Sequence, residues 1–204
     1  MSTAPTSKLT GNLTEQVNKE SFYEVHCSDE AATVTLVKSL ARALSKSIIS
    51  QLSQNSIRAH LHMSLQGDLG SGKTTAVRYL LKELGYTGKV KSPTYSLCEP
   101  HHLQINQHAI QLYHFDFYRM QSSSEWIEAG LQEHFTSHQP TICIVEWPEK
   151  AGNTLPTMDL SVGIKASNQT DHSSEYERLI TLHANTSIGQ ELLNNLVSKP
   201  ITLN

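Results

Sequence analysis

Residues Gly67 to Thr74 read Gly-Asp-Leu-Gly-Ser-Gly-Lys-Thr, and few octapeptides restrict a fold so narrowly. Glycines at 67, 70 and 72 let the backbone turn back on itself, so that successive amide N–H groups converge on one point. A turn of this kind needs a strand before it and a helix after it, whose positive dipole end adds to the field. Both flanks are present. Ala59 to Gln66 alternates Leu61, Met63 and Leu65 as a strand with one buried face does, and Thr75 to Leu84 places Ala76, Leu80, Leu81 and Leu84 at helical spacing. The segment therefore predicts a strand–loop–helix unit, and it matches the phosphate-binding P-loop pattern G-x-x-x-x-G-K-[ST]. In such a loop Gly67, Asp68, Leu69, Gly70, Ser71 and Gly72 wrap phosphate with their backbone. Lys73 brings a mobile charge to the β- and γ-phosphates, the Thr74 hydroxyl coordinates Mg²⁺, and Thr75 completes the set. ATP and Mg²⁺ are the expected ligands.

A P-loop also needs an acid beside the cation, at the end of an apolar strand. Two positions answer. Glu146 ends Thr141-Ile-Cys-Ile-Val-Glu146, a short apolar run typical of a buried strand, and Asp116 follows Leu112-Tyr113-His114-Phe115 on another. Glu146 ligates the metal directly or through water. Asp116 holds Mg²⁺, contacts a phosphate or orients a water, and spacing alone does not separate the two acids. Thr94, beside the turn-restricting Pro93, reads either as a switch threonine sensing the γ-phosphate or as an ordinary strand-start residue. Trp147 follows Glu146 directly, where open α/β sheets bind ligands; it is a core aromatic, a stacking surface or a partner contact.

Composition removes other classes of function. A net charge of −3 over 204 residues gives no basic field for autonomous nucleic-acid binding. Cys27, Cys98 and Cys143 are odd in number and far apart, which suits reduced thiols. The eleven histidines, including His60/His62, His101/His102 and His134/His138, lack neighbouring ligands at a metal-site spacing. No apolar run reaches the length of a membrane span or a signal peptide, so the cytoplasm is the expected location.

Elsewhere, residues 1–20 read as a flexible tail ahead of one domain over 21–204. Phe22–Cys27 reads as a strand, with Ser28 capping a helix whose apolar face is Val34, Val37, Leu40, Ala41, Leu44 and Ile48. A strand ends near Glu99-Pro100, 101–109 reads as a turn or loop, and Ile110–Tyr118 alternates. Ser122–His138 is expected to be helical. Met158–Lys165 and Tyr176–Ala184 suggest an antiparallel pair at a sheet edge, and Ile188–Val197 a closing helix. The expected fold is a P-loop NTPase-like three-layer α/β/α sandwich with a mixed sheet and antiparallel edge strands.

Five segments together resemble the TsaE family of P-loop ATPases: GDLGSGKTT from Gly67, KSPTYSLCEP from Lys91, HFDFYR from His114, the acidic stretch Glu125–Glu133, and VEWPE from Val145. Their order and approximate spacing match as well, over about residues 22–185. The resemblance implies a small ATPase that works with TsaB and TsaD. That assembly transfers threonylcarbamoyl to the adenosine 3′ of the anticodon in tRNAs reading ANN codons, and ATP hydrolysis resets it. By motif matching it implies phosphate and metal roles for Lys73 and Thr74, and a metal-associated role for Glu146. Asp116 becomes a nucleotide-site carboxylate and Trp147 a functional aromatic, while Glu30 and Arg178 fall where nucleotide contacts lie. Contact with tRNA would be indirect, through the complex. Ser71 replaces an alanine common in the family.

Two other readings compete. A small-molecule or nucleotide kinase needs several arginines around the transferring phosphate, and this chain has only Arg42, Arg58, Arg78, Arg119 and Arg178, with no arginine-rich lid. A nucleotide-gated binding module would use ATP to order a partner surface, with hydrolysis incidental.

Overall fold

The computed structural model describes residues 13–18, 21–54, 59–166 and 177–197. Among these residues, eight strands form one mixed sheet: β1 (Leu13–Asn18), β2 (Phe22–Cys27), β3 (His60–Gln66), β4 (Cys98–Ile105), β5 (His108–Asp116), β6 (Thr141–Glu146), β7 (Leu160–Ala166) and β8 (Arg178–Ala184). Their order is β1-β2-β8-β7-β3-β6-β5-β4. The inner four, β7, β3, β6 and β5, run parallel, and every pairing outside them is antiparallel. β3, β6 and β5 therefore deliver their carboxyl ends side by side, the location where open α/β sheets hold ligands.

Helices α1 (Glu30–Ser53), α2 (Lys73–Glu83) and α4 (Ser187–Val197) cover one face. Leu36, Leu40, Leu44, Leu80, Leu81 and Leu192 from these helices pack on Leu61, Met63, Leu112, Ile142 and Leu182 from the sheet, all buried. The other face carries a thinner layer: the one-turn helix α3 (Glu125–Glu128) and 3₁₀ turns at Leu131–Phe135 and Pro148–Thr154. Beneath it Phe115, Phe117, Trp126, Phe135 and Val145 form a second, largely aromatic cluster. The expected three layers are present, with the third reduced to short turns. No helix among the described residues is long and apolar enough to cross a membrane.

Several local expectations change. Residues 101–109 are not a loop. His101, Leu103 and Ile105 are buried in β4, and a two-residue turn joins it to β5, with Asn106 and Gln107 both left-handed at φ 47° and 69°. Polar side chains on the outer face of this edge strand, and Pro100 within it, mask the alternation. The helix expected over Ser122–His138 breaks at Gly130, whose φ of +74° a helix cannot continue. Asp29, not Ser28, caps α1: its Oδ1 accepts from the Ala32 amide at 2.7 Å. Leu36 takes the buried place expected of Val34, which is half-buried. β7 and β8 pair antiparallel as expected, but inside the sheet, flanked by β3 and β2. Of the expected tail, 1–12 and 19–20 lie outside the described residues, whereas Leu13–Asn18 pair with β2.

Candidate functional site

The P-loop leaves β3 at Gln66 and enters α2 at Lys73. Gly67 is at φ +143°, and a Cβ there would lie 2.2 Å from the Ile164 carbonyl oxygen on β7. No side chain fits at that position. The loop closes with Ser71 N–H donating to Asp68 O at 3.1 Å. From β8, Arg178 donates its Nε–H to the Ser71 carbonyl at 3.0 Å. The ammonium of Lys73 is buried and folds back along the loop, donating to the carbonyls of Gly67 at 2.7 Å and Asp68 at 2.9 Å. Burial pushes its pKa down, opposed by the negative charges of Glu146, Glu149, Asp116 and Asp68.

Both predicted acids line the cleft beside this loop, with different partners. The register pairs Asp116 with Glu146 directly, so their side chains emerge on one face. Glu146 Oε2 accepts from the Thr74 hydroxyl at 3.0 Å. That couples the P-loop threonine to the end of β6, and two hard oxygen donors so placed suit a small divalent cation. Asp116 is engaged elsewhere. Its Oδ2 accepts from the hydroxyls of Ser92 and, at 2.7 Å, Thr94, and its Oδ1 accepts from the Tyr118 amide at 3.1 Å. Asp116 thereby ties the Ser92–Thr94 turn to the carboxyl end of β5.

Trp147 sits in the left-handed region, at φ 58° and ψ 51°. This turns its ring over Lys73, whose Nζ is 3.9 Å from the ring centroid, and against Tyr118 at 5.0 Å. Leu69, Gly70, Gly72, Thr75 and Thr94 line the same cleft with Lys73, Thr74, Asp116, Glu146 and Trp147. Of the predicted residues, Gly67, Asp68 and Ser71 within the loop, and Glu30 and Arg178 beyond it, stand outside this lining. Glu30, at the start of α1, accepts from the Tyr79 hydroxyl at 2.9 Å, and Arg178 holds the loop from its outer side.

Sequence reasoning missed three participants. Ser92 shares Asp116 with Thr94, and Tyr118 walls the cleft. His114 is fully buried, with Nε2 2.8 Å from Glu146 Oε1. The period-2 spacing of His114 and Asp116 on one strand was the available signal for the last. Outside the cleft, Tyr95 is 85 % exposed and stacks under the Arg119 guanidinium at 4.3 Å. The thiols are free: Cys27 and Cys143 are buried, and burial pushes Cys27 up to about 11 and Cys98 up to about 12. The described residues contain no cluster of three or more candidate metal-binding His, Cys, Asp or Glu residues.

Known proteins resemble this chain in sequence and in fold. A protein of Haemophilus influenzae named tRNA threonylcarbamoyladenosine biosynthesis protein TsaE is 37% identical over 130 residues, covering 64% of this chain and 74% of its own. One of the same name from Rickettsia conorii is 27% identical over 154 residues, covering 75% of this chain and 82% of its own. The crystal structure of YdiB from Bacillus subtilis superposes with a TM-score of 0.62 at 25% identity, covering 89% of this chain and 98% of that one. The model of the family described as threonylcarbamoyl adenosine biosynthesis protein TsaE matches residues 27–177. With glycine loop, threonine–glutamate pair and flanking aromatic all inside that span, the chain belongs to the TsaE family.

Proposed function

We propose that this chain is a Mg²⁺-dependent ATPase of tRNA threonylcarbamoyladenosine synthesis, acting in the cytoplasm with TsaB and TsaD. In this reading ATP hydrolysis cycles the complex that transfers threonylcarbamoyl to the adenosine 3′ of the anticodon in tRNAs reading ANN codons. The chain itself carries no acyl group and meets tRNA only through its partners. The observation that carries the reading is the 3.0 Å bond between the Thr74 hydroxyl and Glu146 Oε2. It joins the two residues that a P-loop enzyme uses around its cation.

Each residue then has a task. Backbone amides of Gly70, Gly72 and Lys73 bind phosphate, and the Lys73 ammonium exchanges its bonds to Gly67 and Asp68 for phosphate oxygens. Thr74 and Glu146 would hold Mg²⁺, whose charge would neutralise that of the phosphates. Asp116 anchors the Ser92–Thr94 turn, keeping the Thr94 hydroxyl at the cleft. Trp147 covers the lysine and limits access of water from that side. Lys73 is the only cationic side chain lining the cleft among the described residues, which argues against a phosphoryl-transfer kinase.

The test is Mg²⁺-dependent ATP turnover by the chain alone and with TsaB and TsaD. Stimulation by the pair that is abolished in Lys73→Ala supports the reading. Glu146→Gln separates it from nucleotide gating: ATP binding kept with turnover and tRNA modification lost fits an ATPase cycle. Modification that persists without turnover would refute the cycle.

A further inference from the structure

Glu146 uses one carboxylate oxygen on Thr74, and its second oxygen is equally committed. Along β5, Tyr113 and Phe115 turn to the aromatic side of the sheet, while His114 and Asp116 turn toward the P-loop. Because Asp116 stands opposite Glu146 in the register, His114 is the diagonal neighbour on the same face, within reach of a long side chain. Its ring is 0 % exposed, and Nε2 lies 2.8 Å from Glu146 Oε1. An ionised carboxylate only accepts, so the proton of this bond is on Nε2. Nδ1 has no hydrogen-bond partner, leaving the bond to Glu146 as the ring's one polar tether. On its far side His114 stacks with the ring of His101, centroids 6.4 Å apart, which in turn meets Tyr86 edge-on at 4.8 Å.

We propose that His114 is a positioning residue for the cation-associated carboxylate. By donating to Oε1 it sets the rotation of the Glu146 side chain, so that Oε2 faces the Thr74 hydroxyl and the place of the cation. Glutamate has three rotatable side-chain bonds, and this carboxylate is 3 % exposed, so loss of the donor leaves a buried charged oxygen unpaired and the group free to turn away. Partners at this remove typically contribute about 10–100-fold to metal affinity or activity. The inference rests on the ATPase reading above and deepens it.

The test compares His114→Gln with His114→Asn in the full chain. Glutamine places an amide N–H near the position of Nε2; asparagine is equally polar but stops short, near Nδ1. The first readout is the Mg²⁺ midpoint for binding a non-hydrolysable ATP analogue, followed by tryptophan fluorescence; turnover with TsaB and TsaD and the Tm are measured alongside. The expected result is a midpoint raised about 10–100-fold in the Asn variant and largely restored in Gln, with binding in chelator equal in both. A folded Asn variant with the wild-type midpoint overturns the role of His114, as does a fall in Tm alone with the midpoint unmoved. Should Asn fail to fold, histidine ¹⁵N spectra of the wild-type chain decide. The Nε2–H signal, assigned by its loss in Gln, must move along the Mg²⁺ binding curve, and a stationary signal overturns the proposal. A wild-type chain whose nucleotide binding ignores Mg²⁺ overturns the ATPase reading itself, a distinguishable failure.

Discussion

Trp147 offers a quantitative test of the site's geometry that does not depend on function. An L-residue in the left-handed region costs about 1–2 kcal/mol, which glycine escapes. Trp147 occupies that region at φ 58° and ψ 51°, held by its ring contacts with Lys73 at 3.9 Å and Tyr118 at 5.0 Å. Removing the ring forfeits about 0.5–1 kcal/mol of cation–π attraction and about 0.5–1.5 kcal/mol of aromatic contact, with some burial besides. Trp147→Ala keeps the backbone penalty and loses the contacts, so it should lose about 2–3 kcal/mol. Trp147→Gly loses the same contacts but is relieved of the penalty, and should be about 1 kcal/mol more stable than the alanine variant. At an ordinary negative-φ position the order is the reverse, since alanine restricts the unfolded chain more than glycine does. The assay is urea unfolding followed by far-ultraviolet circular dichroism, with m-values checked for constancy. An alanine variant as stable as the glycine variant would refute the left-handed backbone and, with it, the account of how the ring reaches Lys73.

Three further outcomes are expected. His101 has both ring nitrogens buried without partners, and burial, followed by the neighbouring His114, holds its pKa below 6.5. The unfolded chain therefore takes up this proton first: its contribution to stability is complete above pH 6.5 and is lost as the pH falls toward the depressed folded value. His101→Phe should flatten the acid limb of a stability-against-pH curve by up to about 1.4 kcal/mol per pH unit, and an unchanged slope would contradict this. Gly67→Ala should lose about 2–4 kcal/mol in urea unfolding because its Cβ meets backbone, whereas Gly85→Ala, at φ +90° in open space, should lose only about 1 kcal/mol. Gln107→Gly, at φ 69° in the β4–β5 turn, should gain about 0.5–1 kcal/mol in melting or urea experiments; a loss would contradict a turn with two left-handed residues.

The parts of the site legible in the sequence are those written in local pattern. β3, the glycine loop and α2 show in an alternation followed by a helical period, and Glu146 and Asp116 show as acids ending apolar runs. What was illegible depends on neighbours distant in sequence. β4 reads as a loop because, as an edge strand, it buries only every second residue and fills the others with histidine, glutamine and glutamate. The place of β7 and β8 inside the sheet follows from pairing with β3 and β2, about which their weak alternation carries no information. The division of labour between the two acids came from partners: Thr74 and His114 for Glu146, Ser92 and Thr94 for Asp116. Spacing along the chain holds no record of such diagonal contacts.

The crowding of Gly67 against the Ile164 carbonyl, with Arg178 on the Ser71 carbonyl, ties the phosphate loop to β7 and β8. A loop clamped at two points by β7 and β8 has little freedom of its own to surrender when a ligand arrives, so its ordering entropy is spent during folding. Its amides should exchange with solvent deuterium only when the β7–β8 ribbon also opens, making loop and ribbon one cooperative unit. If the loop holds a nucleotide as proposed, changes along that ribbon, about a hundred residues downstream in the chain, would alter its affinity by loosening the loop, without touching a single phosphate contact.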